Sequence, residues 1–181
     1  MSTGAMPMPA TLSEATLARF AKEVAKYPAD KKDSAVMACL AIVQQEQGFV
    51  SAAAEAQVAA YLGMPAIAVH EVSTFYNMYN QQPVGRYKLN VCTNLPCALR
   101  DGEKALQHLC SKLAVEQGGT TADGLFTVQQ SECLGACADA PVMLVNDRQM
   151  VSFMSSERID ELLAMLRDHA AQPSGTTANA S

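Results

Sequence analysis

Little in this chain is built for a polyanion or a bilayer. Lysine and arginine number 13 against 18 aspartate and glutamate, a formal net charge of -5. Binding nucleic acid needs a basic face to neutralise phosphates, and none is patterned here. No apolar run approaches the roughly 20 residues of a membrane span. The opening MSTGAMPMPATLSEA lacks the basic and then apolar regions of a secretory signal. It also lacks the arginines of a transit peptide and includes Glu14. No G-x-G-x-x-G or phosphate-cradling loop is present, so no nucleotide site of its own is expected. The stretch HEVST starts like a metalloprotease helix, but Thr74 stands where a second histidine is needed, so His70 reads as a surface or interface residue. His108 and His169 have no partner motif, and no nucleophile has a recognisable base. The expectation is a cytoplasmic protein that turns over no substrate alone.

What is present is apolar and helical at first. The 181 residues are 49% hydrophobic and 17% charged, enough for one domain with an appendage or for two small domains. Residues 1–12 and 171–181 are expected to be disordered, the first rich in proline and methionine, the second ending PSGTTANAS. Between them the grammar changes near Pro83. Over 13–82, four helices are predicted. Ser13 caps Leu17, Phe20 and Val24; Val36, Leu40 and Val43 form a second face ended by Gly48. Ser51 caps Val58, Tyr61 and Leu62 before Gly63, and Pro65 opens a fourth helix, PAIAVHEVSTFYNMY. Over 83–170, RYKLNVC alternates Tyr87, Leu89 and Val91 against Lys88, Asn90 and Cys92, a strand with one covered face. A helix follows, then strands in LFTVQQ, PVMLVN and MVSFM, with an Asn146-Asp147 turn before the last, and a final helix. The fold class is α+β: an N-terminal helical bundle, then a thioredoxin-like α/β domain with a mixed sheet.

Six cysteines in a reducing compartment are metal ligands, catalytic groups or buried thiols before they are disulfides. Cys39 and Cys110 sit at helical spacing among aliphatic residues and read as buried apolar thiols. The other four fall in C-x4-C and C-x3-C pairs, Cys92 with Cys97 and Cys133 with Cys137. Cys92 and Cys133 follow the C-terminal ends of their strands, so parallel neighbouring strands would gather all four sulfurs on one edge. Tetrahedral zinc favours shorter C-x2-C chelates, whereas a [2Fe–2S] rhomb, with two thiolates per iron, suits these wider loops. Zinc and a redox dithiol remain open on spacing alone. Gly135 lets the backbone close over sulfur, and Pro96 and Pro141 stiffen the loops. Glu132 and Asp139 beside these cysteines favour a low reduction potential for such a cluster.

Three stretches, GFVS, EVSTFYNMYNQQPVGRYKLNVCTNLPC and ECLGACADAPVMLVN, resemble the small [2Fe–2S] subunit family of the NADH-oxidising arm of respiratory complex I. Relatives of that family occur in NAD-linked hydrogenases and formate dehydrogenases. The similarity runs from about Ala35 to Arg167, with Asp101 an extra residue relative to many members. The resemblance implies one [2Fe–2S] cluster on Cys92, Cys97, Cys133 and Cys137. It further implies a flavoprotein partner that alone holds FMN and the NADH site, and a place on the inner membrane through that complex without insertion. Electron transfer from FMN within an NADH:quinone oxidoreductase is the implied function. A hydrogenase or formate dehydrogenase diaphorase subunit and a zinc-stapled interaction module are the alternatives. The segment STFYNMYNQQPVG holds Phe75, Tyr76, Met78 and Tyr79, more large side chains than one helix end buries, so part of it is expected to dock the partner.

Overall fold

A computed structural model describes residues 12–172 and divides the chain into two compact units, Met1–Pro83 and Val84–Ser181. Most of the terminal segments expected to be disordered lie outside the described residues. Of their members that are described, Ala171 still belongs to the last helix.

The first unit follows its caps. Helix α1 (Glu14–Val24) starts where the Ser13 hydroxyl accepts the Thr16 N–H, and Ser13 and Thr16 both donate to Glu46. A 3₁₀ segment (Ala29–Ala35) leads into α2 (Val36–Gln47), which Gly48 ends in the left-handed region at φ 82°. Ser51 caps α3 (Ala52–Leu62), and Gly63 stops it at φ 69°. Phe20, Leu40, Val43, Val58 and Leu62 meet in one apolar core, with Cys39 wholly buried among them. Burial pushes the Cys39 thiol up to about 12, as expected of a packing residue.

Helix α4 (Ala66–Phe75) is shorter than its sequence suggests. Tyr76 turns extended (φ -93°, ψ 113°), and the chain folds back. The cause lies three residues on. Tyr79 is 4% exposed in the core and donates its hydroxyl to the Met37 carbonyl, while the Asn80 backbone exchanges bonds with Gln44 and Val50. A continued helix could not deliver Tyr79 there.

In the second unit β1 (Tyr87–Cys92) pairs in parallel with β2 (Phe126–Ser131), through a crossover holding α5 (Leu95–Ala98) and α6 (Gly102–Leu113). Strands β3 (Met143–Val145) and β4 (Gln149–Val151) add antiparallel, giving the mixed order β2-β1-β3-β4. Their turn is made by Asn146 and Asp147, both at positive φ, a conformation these two residue types tolerate best. Phe153, at φ 54°, ends the last strand early. Helix α7 (Ser156–Ala171), capped by Ser155, packs with α6 over Tyr87, Leu89, Val91, Phe126 and Val128.

The other side of β1 corrects the expectation of one covered face, because all six of its residues are buried. Lys88 is 2% exposed; its Nζ lies 2.5 Å from Asp147 Oδ2, and Asn90 donates to Asp147 Oδ1 at 2.6 Å. The β3–β4 turn thus supplies the countercharge that lets a lysine sit inside a sheet. Truncation in Asp147→Ala is expected to cost about 3 kcal/mol, because it removes the carboxylate that lies against a buried ammonium. Adding Lys88→Met is expected to recover most of that, measured by urea unfolding of the full chain.

Candidate metal centre

The parallel register decides where the cysteines go. Cys92 closes β1 directly opposite Ser131, the last residue of β2, so both following loops leave the same sheet edge. The loops are then stitched together. Cys92 N–H donates to the Val142 carbonyl, Thr93 N–H to Ser131, and Asn94 Nδ2 to Glu132 Oε2 at 2.6 Å. Asn94 also caps α5 by accepting the Leu95 N–H at 2.9 Å. Sequence reasoning placed Cys97 in an open loop; it lies instead inside this single helical turn, with Pro96 beside it. Four residues show no periodicity, and only the Asn-x-Pro start could have signalled the turn.

Cys92 and Cys97 are 2% and 1% exposed, packed with Ala140 and Val142 and flanked by Leu134 and Ala136. Cys133 and Cys137 are exposed, their sulfurs 3.6 Å apart. Gly135 takes φ 80° between them and donates its N–H to Cys133 Sγ at 3.4 Å. Cys137 opens a 3₁₀ turn to Asp139, whose carbonyl accepts the Phe153 N–H. The two pairs sense each other. Burial raises the Cys97 thiol, with Cys92 and Cys137 adding to it; the hydrogen bond to Cys133 raises Cys137, with its own desolvation and then Cys133 and Cys92 as smaller causes. Cys97 and Cys137 therefore hold their protons more tightly than free thiols do, until a cationic centre offsets the charge.

Among the described residues no three His, Cys, Asp or Glu side chains close on one point as a single ion demands. Cys133 and Cys137 approach to 3.6 Å, and both Cys92 and Cys137 act on the Cys97 thiol, so the two pairs are neighbours and supply the two thiolates per iron that a [2Fe–2S] rhomb would take. The chemistry of the donor set fits as well: soft sulfur ligands, backbone groups of Gly135 and Val142 bonded to sulfur, and an apolar wall behind the inner pair.

One further residue escaped sequence reasoning. Gly102 starts α6, and a Cβ there would stand 2.8 Å from the Cys97 carbonyl oxygen and 2.9 Å from that of Cys92. The helix begins against the backbone of both inner cysteines, and Asp101, at φ 67°, makes the turn into it. A glycine beside "RD" reads as a loop breaker, so its packing role was hidden. Of the acids, Glu132 is exposed and accepts from Asn94, and Asp139 accepts from Ser152; both donors are neutral, so each carboxylate keeps its charge beside the cysteines.

The histidines take part elsewhere. His70 is half exposed and bonds the buried Glu55 at 2.9 Å; Ser73 donates to the same carboxylate. His108 meets Asp160, and His169 meets the Tyr87 hydroxyl. Cys110 is half-buried against the sheet core, and burial raises its thiol.

A mixed sheet backed by two helices on one face, with four cysteines on one of its edges, defines a thioredoxin-like ferredoxin. Residues 20–167 match the thioredoxin-like [2Fe-2S] ferredoxin family, and the chain belongs to it. It is 40% identical over 143 residues to NADH-quinone oxidoreductase subunit 2 of Thermus thermophilus, covering 79% of each chain. It is 41% identical over 143 residues to a subunit of the NADH-quinone oxidoreductase of Rhizobium meliloti, covering 79% of this chain and 83% of that one. Among solved structures it is similar to an NAD+-reducing [NiFe]-hydrogenase in the H2-reduced state, with TM-score 0.63 and 25% identity over 77% of this chain. The match spans 23% of the hydrogenase chain.

Gly102→Ala is expected to force α6 away from the cysteine backbones. Iron and sulfide bound per chain after reconstitution should fall to less than about half of wild type, since a Cβ under 3 Å from two carbonyl oxygens cannot be absorbed by rotamer changes. Far-ultraviolet circular dichroism should change little.

Proposed function

We propose that this chain is the electron-transfer [2Fe–2S] subunit of an NADH:quinone oxidoreductase, with Cys92, Cys97, Cys133 and Cys137 as the ligands. In this reading it receives electrons from FMN in a partner subunit, which also holds the NADH site. The complex places it on the cytoplasmic side of the inner membrane without insertion. No described helix is long and apolar enough to cross a bilayer.

The observation behind the ligand assignment is the meeting of two thiol pairs at the edge set by the β1–β2 register. When bound, the cluster supplies a one-electron store. The chain's own residues do the rest. Val142, Ala140 and Leu134 keep water from the inner pair, the Gly135 amide offsets charge at Cys133, and the Asn94–Glu132 bond fixes one loop against the other. A diaphorase subunit of a hydrogenase is the second reading, supported by the likeness to the NAD+-reducing enzyme.

Purified full chain should be red-brown, contain about two iron and two sulfide, and give a paramagnetic signal on one-electron reduction. A colourless protein holding one zinc would overturn the cluster and support a zinc-stapled module instead.

The docking surface is narrower than its sequence implied. Phe75 is 79% exposed, and Tyr76 and Met78 are also exposed, whereas Tyr79 is core. Phe75 and Tyr76 stack edge to face with centroids 5.0 Å apart, a large apolar pair turned toward solvent. We assign Phe75 and Tyr76, with Met78, to the partner interface. Phe75→Ser with Tyr76→Ser should weaken association with the flavoprotein subunit roughly tenfold or more while leaving cluster absorbance intact. Tyr79→Ser is unsuitable for this measurement because it opens the helical core.

A further inference from the structure

The four cysteines are not equivalent. The inner pair is sealed, Cys92 at 2% and Cys97 at 1% exposure, whereas both members of the outer pair reach solvent. The outer sulfurs also stand 3.6 Å apart, close enough to bond after a small shift of the loop between them. That loop is Leu134, Gly135 and Ala136, and Gly135 has open space around its α-carbon at φ 80°.

We propose that in the cluster-free chain Cys133 and Cys137 form a redox-active dithiol that closes to an internal disulfide, barring cluster loading until a reductant reopens it. The proposal rests on the functional reading only in taking the same sulfurs as ligands. The oxidant is a small-molecule disulfide, RSSR. The Cys133 sulfur, which accepts the Gly135 N–H, attacks one sulfur of RSSR; the S–S bond breaks and the first RSH leaves with a proton. The Cys137 sulfur then attacks the Cys133 sulfur of the mixed disulfide and releases the second RSH. Two cysteine thiols are oxidised, one disulfide is reduced, and both protons end on the released thiols. Cys92 and Cys97 do not compete because the wall of Ala140, Val142 and Leu134 keeps the oxidant out. A dithiol reductant reverses the sequence and restores the ligands.

The positions of lysine and arginine make the test direct. Trypsin releases residues 89–100 with both inner cysteines and residues 113–148 with both outer ones. Reduced, metal-free full chain is exposed to oxidised glutathione, blocked at intervals, digested and weighed. Peptide 113–148 is expected to become lighter by two hydrogens roughly tenfold faster than peptide 89–100, as exposure controls thiol access. Equal or faster oxidation of 89–100, a cross-link between the two peptides, or arrest of 113–148 at a glutathione adduct would overturn it. Cys137→Ser should accumulate that adduct on Cys133, and its failure to do so would count against the order of attack. Oxidised chain should take up no iron and sulfide until treated with dithiothreitol; loading at the same rate as reduced chain defeats the checkpoint. If the disulfide forms but reduced chain never loads iron and sulfide, the dithiol stands and the cluster reading fails.

Discussion

The parallel pairing of β1 with β2 is the constraint on which the second unit depends. Antiparallel strands in a hairpin would send their following loops to opposite ends of the sheet. Parallel strands instead send both loops out at one edge, and the register Cys92 to Ser131 sets those loops side by side. Parallel pairing requires a crossover, and here the crossover is itself part of the site. It contains Cys97 in α5 and Gly102 at the start of α6, where the helix backbone rests on the carbonyls of the inner cysteines. Topology and ligand placement are therefore one problem with one solution. A helix that began a residue later, or with a side chain at position 102, would lift the turn that seats Cys97.

A second constraint keeps that pairing in place. β1 is central, flanked by β2 and β3, and buried along all six residues. One of its faces is apolar and covered by α6 and α7. The opposite side contains Lys88 and Asn90, and the Asp147 carboxylate satisfies both from the β3–β4 turn. Asn146 contributes as well, accepting the Lys88 N–H at 2.7 Å through its side chain. The turn that ends the sheet thus also anchors its centre. Burying an ion pair adds little raw stability, since apolar residues of like shape often do better. Its value here is positional, because a one-residue slip of β1 would carry Lys88 away from Asp147 and Cys92 away from its loop.

How much of this was legible follows from the reach of each signal. Ser13, Gly48, Ser51 and Gly63 act on their immediate neighbours, and the helix ends they mark fell where the residues indicated. The alternation in YKLNVC gave the strand and its apolar face. Its other face was misjudged, because a lysine in an alternating pattern reads as solvated unless its countercharge is seen. That countercharge arrives through tertiary folding. Tyr79 shows the same limit: local apolar content extended α4, while the fold directs the residue to the Met37 carbonyl instead. The cysteine pairs were legible because their spacing relative to strand ends is a local property. That Cys97 needs its own helical turn, and that Gly102 must be glycine, could be seen only with the carbonyls in place.

The asymmetry of the site follows from the same topology. Cys92 lies on a central buried strand, and Cys97 is folded under it by the crossover, so the first loop delivers its sulfurs from inside. The second loop leaves β2, an edge strand, and must return to β3 on the far side of β1. It passes over the sheet edge to do so, which puts Cys133 and Cys137 on the outside of the turn. An exposed half is what a redox centre needs, because electrons must enter from another protein across a short gap. The same exposure leaves two sulfurs open to oxidants whenever the cluster is absent. Moving the outer cysteines inward would protect them, but it would require β2 to stop being an edge, and the loop would then have no route to β3. Accessibility to a partner and vulnerability to oxidation are therefore set by one feature of strand order, and the sequence can tune the chemistry at Cys133 and Cys137 without separating the two.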